Sequence, residues 1–139
     1  MSSDPNCIFC KIVAGAIPCF KLYEDGETLA FMDINPVHDG HCLVIAKAHY
    51  PTLFELPAEA FAAVGRTAIK VAKAVNAAVT PDGLNLIQSN GPGAAQSVPH
   101  FHLHILPRWK NDGLVVNWAL KPGDRQRIGE VAERIRALL

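Results

Sequence analysis

The chain has 139 residues, half of them hydrophobic, and its 13 basic residues balance 13 acidic ones. That length suits one compact domain with a real core and no need of disulfides. Neutrality without a basic block leaves no electrostatic footprint for nucleic acid or an anionic membrane, so any phosphate must be gripped by local groups.

The N-terminus, MSSDPN, is polar and lacks the apolar run of a secretory signal. No apolar run approaches the roughly 20 residues of a membrane span. The expectation is a cytoplasmic protein in a reducing compartment, where Cys7-x-x-Cys10 reads as metal-binding or redox-active rather than as a disulfide. Cys19 and Cys42 are isolated and read as buried small hydrophobes.

In chain order, Cys7 to Ala14 predicts one or two helical turns, interrupted by Gly15 and Pro18. Lys21 to Glu24 predicts a short strand closed by the turn Glu24-Asp25-Gly26-Glu27. Leu29 to Ile34 predicts a second strand, stopped by Asn35-Pro36. The turn His38-Asp39-Gly40 leads into His41 to Ala46, an apolar run of the kind a doubly covered central strand carries. From Pro57 the period changes: Phe61, Val64, Ala68, Val71 and Val75 mark one face of a long helix ending before Pro81-Asp82-Gly83. Leu84 to Gln88 is the next strand, Ser89 to Pro99 a small, polar loop, and His100 to Leu106 a last strand ended by Pro107. From Pro122 the tail predicts a helix with Ile128, Val131, Ile135 and Leu138 on one face. The pattern gives an α+β domain, mainly antiparallel, with no internal repeat and no linker.

In a strand alternate side chains share a face, so His100, His102 and His104 oppose Phe101, Leu103 and Ile105. Same-face neighbours sit roughly 6.6 Å apart, while zinc needs its donor nitrogens within about 2.1 Å. Three ligands to one ion would be strained; one histidine on a metal and another free for chemistry fits better. The preceding loop, Ser89-Asn90-Gly91-Pro92-Gly93-Ala94-Ala95-Gln96-Ser97, can bring backbone N–H groups close to an anion, although it lacks the lysine of a Walker A loop. Together they read as a phosphate cradle beside a nucleophile.

At this point the sequence resembles the histidine triad (HIT) family, whose His-φ-His-φ-His-φ-φ signature stands here as His100-Phe101-His102-Leu103-His104-Ile105-Leu106. The likeness covers about residues 7–109 and extends to Asp33-Ile34-Asn35-Pro36, Gly40 to Ile45, His49, Gln96-Ser97-Val98 and Pro107-Arg108. It is strongest to the HINT-type nucleotide hydrolases that open with Cys-x-x-Cys. It implies a single HIT domain over 1–139, a core at 7–109 and a helical tail at 110–139. A mainly antiparallel five-stranded sheet would carry a long helix and a C-terminal helix, and would continue across a homodimer.

The resemblance also implies roles. His102 would attack the α-phosphorus of a purine nucleoside phosphoramidate or dinucleoside polyphosphate, forming a nucleotidyl-histidine that water cleaves. Neutral imidazole is a good nucleophile near neutrality, and a covalent intermediate splits one difficult displacement into two. His104, His41, Gln96 and Ser97 would hold phosphate oxygens and the leaving group. Asp33 would accept from ribose hydroxyls, and Ile8, Phe9, Ile12 and Ile34 would line the base pocket. Two positions depart from the family pattern: Ser89 stands where Asn is usual, with Asn90 beside it as a substitute, and Ala95 stands where Gly is usual. Cys7, Cys10, His49 and His100 would form a closed structural Zn²⁺ site, with no organic cofactor. A hydrolase and a phosphorylase both remain open, and Trp118 could reach a neighbouring active site. The alternative is a non-catalytic regulatory protein that binds purine nucleotides, against which an intact His102 beside Gln96 and Ser97 argues.

Overall fold

The computed structural model describes residues 1–115 and 120–139; Trp118 lies outside the described residues. The elements run α1 (Ile8–Val13), β1 (Lys21–Glu24), β2 (Thr28–Met32), β3 (Cys42–Ala46), α2 (Ala58–Val79), β4 (Gly83–Ile87), β5 (His102–Arg108) and α3 (Arg125–Arg136), with a 3-10 turn at Pro92–Ala94. The five strands form one sheet in the order β1-β2-β3-β5-β4, and every pairing is antiparallel. The chain thus has the expected α+β arrangement, with a five-stranded antiparallel sheet and helices. Among the described residues no helix is long and apolar enough to cross a membrane.

Alternation along the strands builds two cores. Ala30, Cys42, Val44, Ala46, Phe101 and Ile105 pack against Val64, Ala68, Val71 and Val75 of α2. Leu29, Phe31, Leu43 and Ile45 face the other way and bury Cys7, Phe9 and Cys10 at α1. All five residues of β3 are buried, as a strand covered on both faces must be. A hydroxyl relay crosses one core: Thr28 Oγ1 donates to Asp25 Oδ1 at 2.9 Å and so accepts from Thr67 Oγ1 at 2.7 Å.

Several boundaries differ from the sequence expectation. The last strand starts at His102, not His100. The Ala46 carbonyl accepts from the His100 ring (2.7 Å), and the Phe101 N–H goes to Tyr50 O, so pairing with β3 begins at Ile45↔His102. The strand also runs through Pro107, which is tolerated because pairing with β3 has ended at Cys42↔Ile105 and only Leu84 of β4 lies opposite. β2 stops at Met32, leaving Asp33 and Ile34 in the loop that follows. In α2, Phe61 is half exposed and only its edge meets Phe101. No residue of α3 is buried, so Ile128 and Ile135 face outward.

The loop from Asp33 to His41 is tied down at both ends. Asp33 N donates to His41 O (3.1 Å), which continues the β2–β3 ladder one step past Met32↔Cys42. Gly40 holds φ +84°, and a Cβ there would lie 3.0 Å from Pro107. His38, to which the sequence assigned nothing, lies edge-on to Trp109 with its Nε2 3.1 Å from Asp112.

Candidate active site and metal centre

On the α1 side of the sheet a cavity of about 440 Å³ opens between α1, the Ile17–Phe20 segment, the end of β2 and β5. Its walls are mostly apolar, and they include Ile8, Phe9, Ile12 and Ile34, the expected base-pocket residues. Asp33, Asn35, Ser97, His102 and His104 supply its polar groups. Phe9 stands edge-on to His102, with ring centroids 5.3 Å apart. Sequence reasoning missed Ile17, Pro18, Cys19 and Phe20, because the strand and helix patterns leave that segment unassigned. Cys19 is a half-buried wall residue of this cavity, not a core residue; Cys42 is fully buried as expected.

Hydrogen bonds set the tautomers of the histidines. His102 Nδ1 lies 2.7 Å from the His100 carbonyl, which can only accept, so Nδ1 carries the proton and Nε2 keeps its lone pair. Burial lowers the His102 pKa, so the ring is neutral near pH 7. Val37 N donates to His41 Nδ1 (3.1 Å), which places the His41 proton on Nε2. That proton goes to His104 Nδ1 at 2.9 Å, leaving His104 Nε2–H as a free donor. Burial pushes the His104 pKa down to about 4 and lowers that of His41. Two rings on β5 and one at the mouth of β3 therefore form an ordered, uncharged set.

The loop before β5 is braced from within. Gln96 accepts from Gly91 N (2.8 Å) and donates to Pro51 O (2.7 Å) and Val98 O (3.1 Å). Asn90 Oδ1 accepts from Leu53 N (2.7 Å), and its amide is paired with Gln88. The Ser89 carbonyl accepts from Gln88. Ser97 is the one loop candidate that lines the cavity; Gln96, Ser89 and Asn90 are not among its lining residues.

The second cluster lies at the start of β5. His100 donates from Nε2 to Ala46 O, so its Nδ1 lone pair points at the cysteines. Cys7 Sγ is 3.4 Å and Cys10 Sγ 3.6 Å from that nitrogen; His49 Nδ1 is 3.3 Å from it and 3.4 Å from Cys10 Sγ. A tetrahedral zinc with bonds of about 2.0–2.3 Å sets its donors roughly 3.3–3.8 Å apart, so the residues present fit the ion. Burial pushes the Cys7 thiol up, and a thiolate there needs a cation beside it.

The model of the HIT domain matches residues 14–111. This chain belongs to the HIT family. Over 97% of its length it is 44% identical to a Bacillus subtilis protein named Protein hit, 98% of which is covered. It is 42% identical to the adenosine 5′-monophosphoramidase hnt1 of Schizosaccharomyces pombe, over 94% of this chain and 96% of that one. A solved HIT protein from Bacillus anthracis superposes with TM-score 0.90 at 38% identity, covering 99% of each chain. A zinc-bound histidine triad protein from Mycobacterium smegmatis superposes with TM-score 0.75 at 34% identity, covering 95% of this HIT chain and 97% of its own.

Proposed function

We propose that this HIT protein is a nucleotidyl hydrolase that cleaves purine nucleoside phosphoramidates or dinucleoside polyphosphates at the α-phosphate through a covalent intermediate on His102. The observation that carries this reading is the His102 ring, held by the His100 carbonyl with its Nε2 lone pair free, in the wall of a mostly apolar cavity. The Schizosaccharomyces pombe relative's name, an adenosine 5′-monophosphoramidase, supports a nucleotide substrate. The Nε2 lone pair attacks the α-phosphorus and forms a P–N bond. The bond to the leaving group breaks, and its electron pair goes with the leaving atom, which takes a proton from solvent. Water then attacks the phosphorus and gives a proton to solvent, while the P–N pair returns to Nε2. Inorganic phosphate in place of water would make the protein a phosphorylase.

Ser97 and His104 Nε2–H hold phosphate oxygens, and fixed donors of this kind stabilise charge that shifts in the transition state. Gln96 joins them at the phosphate and leaving group and Ser89 and Asn90 at the nucleotide, while Gln96 and Asn90 also hold the loop's shape through their hydrogen bonds. Asp33 accepts from ribose, and Ile8, Phe9, Ile12 and Ile34 hold the base. Cys7, Cys10, His49 and His100 hold a structural Zn²⁺ that ties α1 to the start of β5; four protein ligands close its coordination. The protein works as a homodimer in the cytoplasm, its sheet continued through an edge strand of each copy.

The test is turnover of adenosine 5′-phosphoramidate by His102→Asn. The variant should lose roughly a thousandfold or more in kcat while AMP still binds by calorimetry. Retained turnover would overturn the covalent route. Nucleotide binding without turnover in the wild-type protein would favour the regulatory alternative.

A further inference from the structure

Asp33 and His41 face each other because the β2–β3 ladder runs one step past its last paired residues, with Asp33 N bonded to His41 O. Asp33 Oδ1 is held by Asn35 N at 2.8 Å. Oδ2 lies 3.4 Å from His41 Nε2, the nitrogen that also contacts His104 Nδ1 at 2.9 Å. Asp33 is the only acid among the described residues lining the cavity. Its carboxylate is thus the one negative charge on the cavity wall directed at a set of three rings, His41 and His102 buried and His104 partly so. A ribose acceptor alone has no need of that placement.

The same three residues have the composition of a metal site, but their protons speak against one. Val37 N–H occupies His41 Nδ1, so an ion on Nε2 would require that ring to lose its last proton. The arrangement serves a proton, not a metal.

We propose that Asp33 is a positioning residue for the His41–His104 pair and acts on the chemical step through His41, in addition to any hydrogen bond it makes to ribose. The carboxylate favours the orientation in which His41 Nε2–H points toward His104 Nδ1. That orientation leaves His104 Nε2–H as the donor toward the reacting phosphate. The effect on turnover rests on His102 being the nucleophile; the contact between Asp33 and His41 does not. The charged and titratable groups facing His41 and His104 are Asp33, His38 and His102, besides each other.

A sugar-by-residue cycle separates the two roles. Zinc-loaded wild-type and Asp33→Asn proteins are compared on adenosine 5′-phosphoramidate and on its 2′,3′-dideoxy counterpart. Asp33→Asn should lower kcat on the order of tenfold with both sugars. A mutation that costs nothing on the dideoxy substrate overturns the proposal, because Asp33 would then act through ribose alone. In a His41→Asn background the Asp33→Asn loss on the dideoxy substrate should vanish, whereas full additivity refutes a route through His41. Imidazole NMR of nucleotide-free protein gives a readout independent of turnover: Asp33→Asn should move the titration of the His41–His104 pair to lower pH, and an unmoved titration overturns the proposal. If His102→Asn stays active, the nucleophile reading falls, yet the NMR titration still decides the Asp33–His41 link.

Discussion

His104 shows how one residue carries both structure and chemistry. Its ring is neutral because burial holds its pKa at about 4, below the ordinary 6.5, and neutrality lets Nδ1 accept from His41. Between those two values the unfolded chain binds a proton at this site and the folded chain does not. The stability His104 contributes is therefore fully present above about pH 6.5 and is lost as pH falls toward about 4. Burial lowers His41 and His102 in the same direction. Urea midpoints should drop between about pH 7 and about pH 4.5, and His104→Gln should flatten that slope. An unchanged slope in the variant would show that the ring is not a buried neutral group. The alternation of His102 and His104 against Phe101, Leu103 and Ile105 was legible in the sequence, because a strand's period is set by its own backbone. The groups that set the tautomers were not: a carbonyl partner for His102 could be expected from its chemistry, but the His100 carbonyl and Val37 N are backbone groups that only the fold brings to the rings.

Among the elements, α2 follows almost completely from its apolar period, and its C-terminus shows what period alone leaves out. Thr80 closes the helix at φ 45°, ψ 57°, donating its N–H to Asn76 O at 3.0 Å. A β-branched residue is strained in this left-handed region, where glycine is the usual helix terminator. Thr80→Gly should raise stability by about 0.5–1 kcal/mol in urea unfolding; a loss would mean that the threonine side chain holds something glycine cannot. β5 makes the converse point. Its sequence suggests a start at His100 and a stop at Pro107, yet it begins two residues later and continues to Arg108. The start moves because the His100 ring takes the Ala46 carbonyl. The proline is accommodated because β3 no longer flanks that position. Strand ends are decided by what the neighbouring strand offers, which no local pattern records.

At the scale of the whole molecule, the cluster of Cys7, Cys10, His49 and His100 joins the first residues to the start of β5. His100 faces Cys7 and Cys10 with its ring and His102 with its carbonyl, so an ion there would brace α1 and the His102 ring together. Metal analysis should find about one zinc per chain, and Cys7→Ser should lose it. Stripping the metal with a chelator should lower the thermal midpoint and turnover together, and sedimentation of the loaded protein should give the mass of two chains. Absence of zinc, or turnover untouched by its removal, would refute the brace; a single-chain mass would refute the dimer. By itself the sequence determined the family, the order of elements and the alternation of β5, since these follow from short-range spacing and side-chain chemistry, and only through the family resemblance did it point to His41 and His49. Tertiary structure alone decided that Asp33 faces His41, that Gln96 and Asn90 tie their loop to Pro51 and Leu53, and that Ile17 to Phe20 wall the cavity. Those relations join residues far apart in the chain or outside any periodic segment, and they come from packing two layers onto one sheet.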